Sequence, residues 1–174
     1  MKPIASILAA AVVVLSAGAA RAETPTYYSD YGLGFALTVG EGMYIIDNNV
    51  YRAPVSLELV PSLGWTWVKF DLGLYTTLES LDVAGTEVGN WNFTFRPGGR
   101  FTPPMIPLYL RAAFPLQIQR YDFDWGVMFG LGVDFHLFLM FGLVLEVDTT
   151  LTNQFEWGRD GMPLEFRAGI AVHL

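Results

Sequence analysis

The chain has 174 residues, no cysteine and a formal net charge of −7. These values exclude disulfides, thiolate metal sites, cysteine nucleophiles and a lipid-modified cysteine, and the acidic balance argues against a nucleic-acid partner. Only 16% of residues are charged while 52% are hydrophobic, against roughly 25% charged in soluble domains, so something other than water faces much of the surface.

Residues 1–22 (MKPIASILAAAVVVLSAGAARA) carry the three parts of a secretory signal: a charged start at Lys2, an apolar stretch over 4–15, and small residues at Ala20 and Ala22. Cleavage there predicts an exported mature chain of 152 residues with a charge of −9. Residues 23–30 read as a short polar periplasmic lead-in, and residues 31–174 as one domain.

From there the sequence alternates with period two. In the first run, Tyr31, Leu33, Phe35, Leu37 and Val39 alternate with small residues, and Gly40-Glu41-Gly42 is expected to end it. The second run sets Val55, Leu57, Leu59, Leu63 and Trp65 against Ser56, Glu58, Ser62 and Gly64. The third sets Val68, Phe70, Leu72 and Leu74 against Lys69, Asp71, Gly73 and Tyr75. The phase flips between them, which predicts a two-residue hairpin turn at Thr66-Trp67.

Residues 79–90 read as a looser connection. The fourth run places Trp91, Phe93, Phe95 and Phe101 opposite Asn92, Thr94, Arg96 and Arg100, with Pro97-Gly98-Gly99 expected to mark a bulge or bend. The fifth alternates Leu108, Leu110, Ala112, Phe114, Leu116 and Ile118 with Tyr109, Arg111, Ala113, Pro115 and Gln117. The sixth alternates Trp125, Val127, Phe129, Leu131, Val133 and Phe135 with Gly126, Met128, Gly130, Gly132 and Asp134. The seventh alternates Leu139, Phe141, Leu143, Leu145 and Val147 with Met140, Gly142, Val144, Glu146 and Asp148. Residues 151–162 read as a loop. The eighth alternates Leu164, Phe166, Ala168, Ile170, Val172 and Leu174 with Glu165, Arg167, Gly169, Ala171 and His173.

Eight runs of about ten residues match the strand length that crosses a bilayer when tilted. Residues 126–147 are long enough for a membrane helix, but Asp134 and His136 near the centre and the strict alternation argue against one. The expected fold is all-β: an eight-stranded antiparallel up-and-down transmembrane barrel. A soluble barrel with an apolar ligand cavity would show the same alternation. The minor face decides, because it is built of Gly, Ala, Ser and Thr rather than the dense Lys and Glu of a wet surface. It carries Glu58, Lys69, Asp71, Arg96, Arg100, Arg111, Asp134, Glu146, Asp148, Glu165 and Arg167, expected to pair as a lumen charge network. Glu146, Glu165 and Arg167 are expected to meet, since their strands are consecutive. Trp65, Trp91 and Trp125 lie close to run ends, as membrane-interface aromatics do.

In this respect the chain resembles the small eight-stranded outer-membrane barrels of Gram-negative bacteria, the OmpA/OmpX/OmpW-like type. The last run, Gly169-Ile170-Ala171-Val172-His173-Leu174, is similar to that family's assembly signal at Gly169, Val172 and Leu174, with leucine where phenylalanine is usual. The resemblance implies export to the cell outer membrane, insertion by the outer-membrane assembly machinery, and contact with outer-membrane lipid.

Catalytic chemistry is not expected, and neither is a cofactor or a metal. His136 reads as a turn residue and His173 as a lumen residue, without the His-x-Ser found in barrel-type lipid A deacylases. Glu146 and Asp148 share a face and read as salt-bridge partners of Arg111 or Arg167. Gly32-x-Gly34 and Gly130-x-Gly132 are minor-face glycines without a following helix. Phe155, Trp157, Arg159 and Asp160 form a candidate loop surface anchored at the membrane interface. The expected function is a structural or surface-interaction role with a plugged, charged lumen. The alternative is porin-like or small hydrophobic solute transport, for which the glycines at 126, 130 and 132 would leave space. Oligomeric state is open.

Overall fold

The computed structural model describes residues 32–46, 49–65, 67–83, 85–89, 93–103, 107–118, 123–153 and 162–174. The proposed signal and lead-in, Trp91, and the loop surface at 155–160 lie outside them. The strands are β1 (Gly32–Ile46), β2 (Asn49–Arg52), β3 (Ser56–Gly64), β4 (Val68–Thr77), β5 (Leu81–Val83), β6 (Thr86–Val88), β7 (Phe93–Phe101), β8 (Leu108–Ala113), β9 (Leu116–Ile118), β10 (Phe123–Phe138), β11 (Phe141–Thr152) and β12 (Met162–His173).

Every pairing is antiparallel, and the order β11-β12-β1-β3-β4-β7-β8-β10 closes on itself through β10 and β11. Since β2 only folds back on β1, and β8 and β9 are two halves of one strand, the ring has eight strands. The register gives its geometry. Gly32 pairs with Gly64, Gly64 with Lys69, Lys69 with Arg100, Arg100 with Arg111, Arg111 with Gly130, Gly130 with Asp148, Asp148 with Glu165, and Glu165 with Gly42. One circuit therefore returns to β1 ten residues farther along. Eight strands with that shear tilt by about 40–45° and enclose a bore with a backbone radius of roughly 8 Å, narrow enough for side chains to fill.

The alternation sets which side is which. Leu33, Phe35, Leu37, Val39, Phe70, Leu72, Phe129 and Leu131 point outward and are exposed, whereas Glu58, Asp71, Arg96, Arg111, Glu146, Asp148 and Arg167 are buried in the bore. A water-soluble barrel would have these faces exchanged. The chain is a transmembrane β-barrel, in which closure pairs the strands all round the ring and leaves no open sheet edge to the hydrocarbon.

Several details differ from the sequence reading, among them His136, which lies within β10 rather than in a turn, and Leu151, Thr152 and Met162, which belong to β11 and β12 rather than to a loop. The first strand does not end at Gly40-Glu41-Gly42; it runs to Ile46 and forms a hairpin with β2, Tyr44 opposite Tyr51. These glycines serve close approach rather than a turn: a Cβ at Gly40 would crowd the side chains of Glu165, Arg167 and Ser56, and one at Gly42 would lie 2.7 Å from the Leu164 carbonyl oxygen. The stretch over 79–90 contains the small β5–β6 hairpin. Pro97-Gly98-Gly99 causes no bulge, since β7 pairs with β4 in unbroken register from Phe101 to Phe93. The interruption falls on the neighbouring strand at Phe114-Pro115, where Pro97 and Pro115, both lacking an N–H, remove ladder donors; Phe114 N–H still donates to the Pro97 carbonyl at 2.8 Å. Finally, Leu139, with φ 49°, and Met140 belong to the turn between β10 and β11 and not to a strand, and Met140 is exposed rather than inward-facing. The turn of the second hairpin falls where the phase flip puts it, with Trp65 N–H donating to the Val68 carbonyl at 2.8 Å.

Candidate functional site: the ionic core of the bore

Inward positions on β3, β4, β7, β8, β11 and β12 converge at mid-height. Glu58 on β3 is the hub. Arg111 on β8 grips it with two nitrogens, Nη2 to Oε1 at 2.8 Å and Nη1 to Oε2 at 3.1 Å. Arg167 on β12 donates Nη1 to the same Oε2, and Arg96 on β7 stands 4.0 Å away. β3 and β12 flank β1, so the Arg167–Glu58 bond passes over that one strand, whereas β8 lies three strands from β3 and the Arg111–Glu58 grip crosses the bore.

Each arginine also reaches a second acid. Arg111 Nη1 donates to Glu146 at 3.1 Å and its Nε lies 3.4 Å from Asp71. Arg167 lies 3.1 Å from Asp148 and 2.7 Å from Glu165. Arg100 Nε donates to Asp71 at 3.2 Å. Two aromatic rings complete the layer. Tyr109, wholly buried, donates its hydroxyl to Glu146 at 2.6 Å and lies beneath the Arg100 guanidinium at 4.4 Å. The Tyr75 ring lies 3.5 Å from the Arg96 guanidinium and 5.1 Å from that of Arg167. Charges buried this deeply persist only when paired and hydrogen-bonded, and a bidentate guanidinium–carboxylate grip is among the strongest forms of that pairing.

The expected meeting of Glu146, Glu165 and Arg167 is therefore half met. Arg167 binds Glu165, but Glu146, although its backbone partner across the ladder, turns to Arg111 and Tyr109 instead. The tilt of the strands carries inward side chains toward partners across the bore, so ladder neighbours need not bond. Ser56 donates to Glu165, a contact the sequence reading lacked, as were the two tyrosines. All three sit on the inward face, and that position was the available signal. The glycines at 126, 130 and 132 do not leave lumen space: the Tyr109 ring fills the volume beside Gly132, Glu146 and Asp148 that beside Gly130, and the Leu151 carbonyl approaches Gly126.

Lys69 and Asp134 lie toward the turn end of the bore, away from the hub. There Asp134 meets His173 Nε2 at 3.3 Å, and the His173 and His136 rings are 6.0 Å apart. Among the described residues no group of three His, Cys, Asp or Glu is arranged to hold a metal ion. Trp65 and Trp125 are exposed near opposite ends of the barrel, and Trp67, which the sequence reading placed in the hairpin turn but not among the interface aromatics, is also exposed. Of the assembly-signal positions, Leu174 is exposed and its N–H donates to the Leu33 carbonyl at 2.8 Å. Val172 pairs with Phe35, and Gly169 passes so near Thr38 that a Cβ would lie 2.6 Å from its Cα.

At the loop end, outside the membrane-spanning segments, Arg52 ties two connections together: it lies 2.5 Å from Glu41 and 2.7 Å from Glu79. The Val55 N–H donates to Glu79 at 2.9 Å. That backbone bond, followed by the Arg52 contact, holds the Glu79 carboxyl below the usual glutamate range.

No protein-family model matches the sequence, and no curated protein matches it. Solved structures do share its fold. The crystal structure of Neisserial surface protein A is 12% identical, over 84% of this chain and 98% of that one, with a TM-score of 0.53. A de novo designed transmembrane β-barrel is 14% identical, over 85% of this chain and all of that one, with a TM-score of 0.50. At these identities the likeness is one of fold.

Proposed function

We propose that this chain is a closed outer-membrane barrel with a structural or surface-interaction role, its bore sealed to ions by the Glu58–Arg111–Arg167 crossing. The observation that carries the reading is the hub itself: one carboxylate held by arginines from two other strands, one of them across the bore, with Tyr109 and Tyr75 packed into the remaining space. An eight-stranded ring has no width to spare once such a layer is in place. The outer-membrane setting is supported by the signal-like leader, the terminal assembly-type pattern and the fold shared with a Neisserial surface protein. The reading includes no enzymatic role: Glu58, Asp71, Glu146, Asp148 and Glu165 are each engaged with an arginine, Asp134 is engaged with His173, and the Ser56 hydroxyl beside Glu165 is fully buried.

Planar-bilayer recording of the purified, refolded protein tests this. The expected record is a quiet membrane, with steps appearing only when Arg111→Ala and Arg167→Ala are combined. Steady channels in the unaltered protein would refute the sealed bore and favour solute transport.

A further inference from the structure

The two ends of the barrel differ in chemistry. At the loop end, Glu41, Arg52, Asp82 and Glu87 are exposed. At the turn end the exposed residues include Trp65, Trp67, Leu137, Phe138, Leu139 and Met140, and no described Asp, Glu, Lys or Arg is exposed there. A turn facing bulk water has no reason to be built this way.

Among the described residues the β10–β11 hairpin also projects past β8, while on its other side β12 accompanies it as far as the His173 N–H, which donates to the Met140 carbonyl at 2.8 Å. On the β8 side its pairing ends with Val133 opposite Leu108 and a bond from Asp134 N–H to the Pro107 carbonyl. Beyond that point β10 continues to Phe138, paired with β11. The tip is stiffened by the Phe138 and Phe141 rings, 5.5 Å apart, and it presents Leu139 at 83% exposure. With strands tilted as above, each residue rises about 2.5 Å along the barrel axis. Followed round the register, Trp65 and Trp125 then lie about 28 Å apart, close to the thickness of a hydrocarbon core with its two aromatic belts. On the same scale Leu139 hangs about 7 Å beyond the Trp65 level, within the depth to which interfacial apolar side chains reach at the headgroup–acyl boundary.

We propose that the β10–β11 tip, residues 137–140, is a lipid-docking element immersed in the headgroup–acyl boundary of the turn-side leaflet. It takes glycerophospholipid as its partner and fixes how deep the barrel sits. The outward stripe of β10 runs without a charged residue from Phe123 through Phe129 and Leu131 to Leu139, so the tip continues the lipid-facing belt. That continuity assigns lipid as the occupant in preference to a second protein.

The chain has no cysteine, so single-site labelling is direct. Leu137→Cys and Leu139→Cys, with Glu87→Cys as the water-facing reference, are labelled with an environment-sensitive fluorophore. The proteins are then refolded into phosphatidylcholine/phosphatidylglycerol vesicles with iodide on both sides. The expected result is that iodide quenches both tip probes at least about threefold less than the reference, while lipids carrying a spin label near the headgroup quench them more. Iodide quenching equal to the reference overturns the proposal. So does shielding that vanishes on tenfold dilution with lipid, which would put a second copy of the chain on the tip. Leu137 is a strand position free of the positive-φ turn, so its probe gives the reading even if Leu139→Cys folds poorly.

Discussion

Replacing Glu58 by glutamine should destabilise the barrel more than any other single isosteric change in the bore. The side chain is fully buried and its two oxygens serve Arg111, Arg167 and, at 4.0 Å, Arg96. Glutamine keeps the volume and one acceptor but removes the charge that the three guanidinium groups share. Breaking a buried ion pair by deleting one partner costs about 3–5 kcal/mol. Here Arg111 keeps Glu146 and Asp71, and Arg167 keeps Asp148 and Glu165, whereas Arg96 loses its nearest carboxylate. The expected loss is therefore near the lower limit, about 3 kcal/mol. With a urea dependence of about 2 kcal/mol per molar, the unfolding midpoint in lipid vesicles falls by about 1.5 M. The assay is the fraction of folded, fast-migrating protein on unboiled gels against urea concentration. A midpoint within about 0.3 M of the unaltered protein, on the same slope, would refute the claim that Glu58 is the hub. Removing Arg96 as well, by Arg96→Met in the Glu58→Gln background, should recover part of the loss, because it takes away the cation left without its acid.

Three further outcomes are expected. Gly132→Ala puts a methyl into the Tyr109 ring and 2.7 Å from the Leu145 carbonyl oxygen; the backbone side cannot yield, so overpacking costs about 1–3 kcal/mol in the same urea assay, and an unchanged midpoint would mean that the ring is not fixed there. Leu131→Arg, on the outward face near the middle of the belt, should cost about 2–4 kcal/mol in vesicles, and a cost near zero would argue that this face does not meet acyl chains. At the loop end the depressed Glu79 carboxyl sets the sign of a pH effect. A lowered folded-state value makes its contribution fully present above the ordinary glutamate range and lost as pH falls through the folded value. Exchange of the Val55 amide, which is bonded to Glu79, should quicken in that acid window relative to neighbouring ladder amides; uniform protection down to the most acid folded condition would contradict it.

The alternation by itself determined most of this molecule. A period of two over eight segments places Leu33, Phe35 and Leu37 on one face and Glu58, Arg96 and Arg111 on the other, whatever the strands pair with, because successive side chains in a strand must point to opposite sides. The small-residue composition of the second face made it the inside. What a single strand cannot carry is the shear. The ten-residue offset between Gly32 and Gly42 after one circuit sets the tilt, and the tilt decides which inward side chains meet across the bore. Hence Arg111 finds Glu58, and Glu146 passes over Arg167 for Tyr109. The same cause hid the purpose of glycine. Gly40 and Gly42 look like a turn in a one-dimensional reading, and become room for Ser56, Glu165, Arg167 and the β12 backbone only when the last strand closes on the first. Sequence dictates the faces because facing is local, whereas contacts across a closed ring depend on every strand at once.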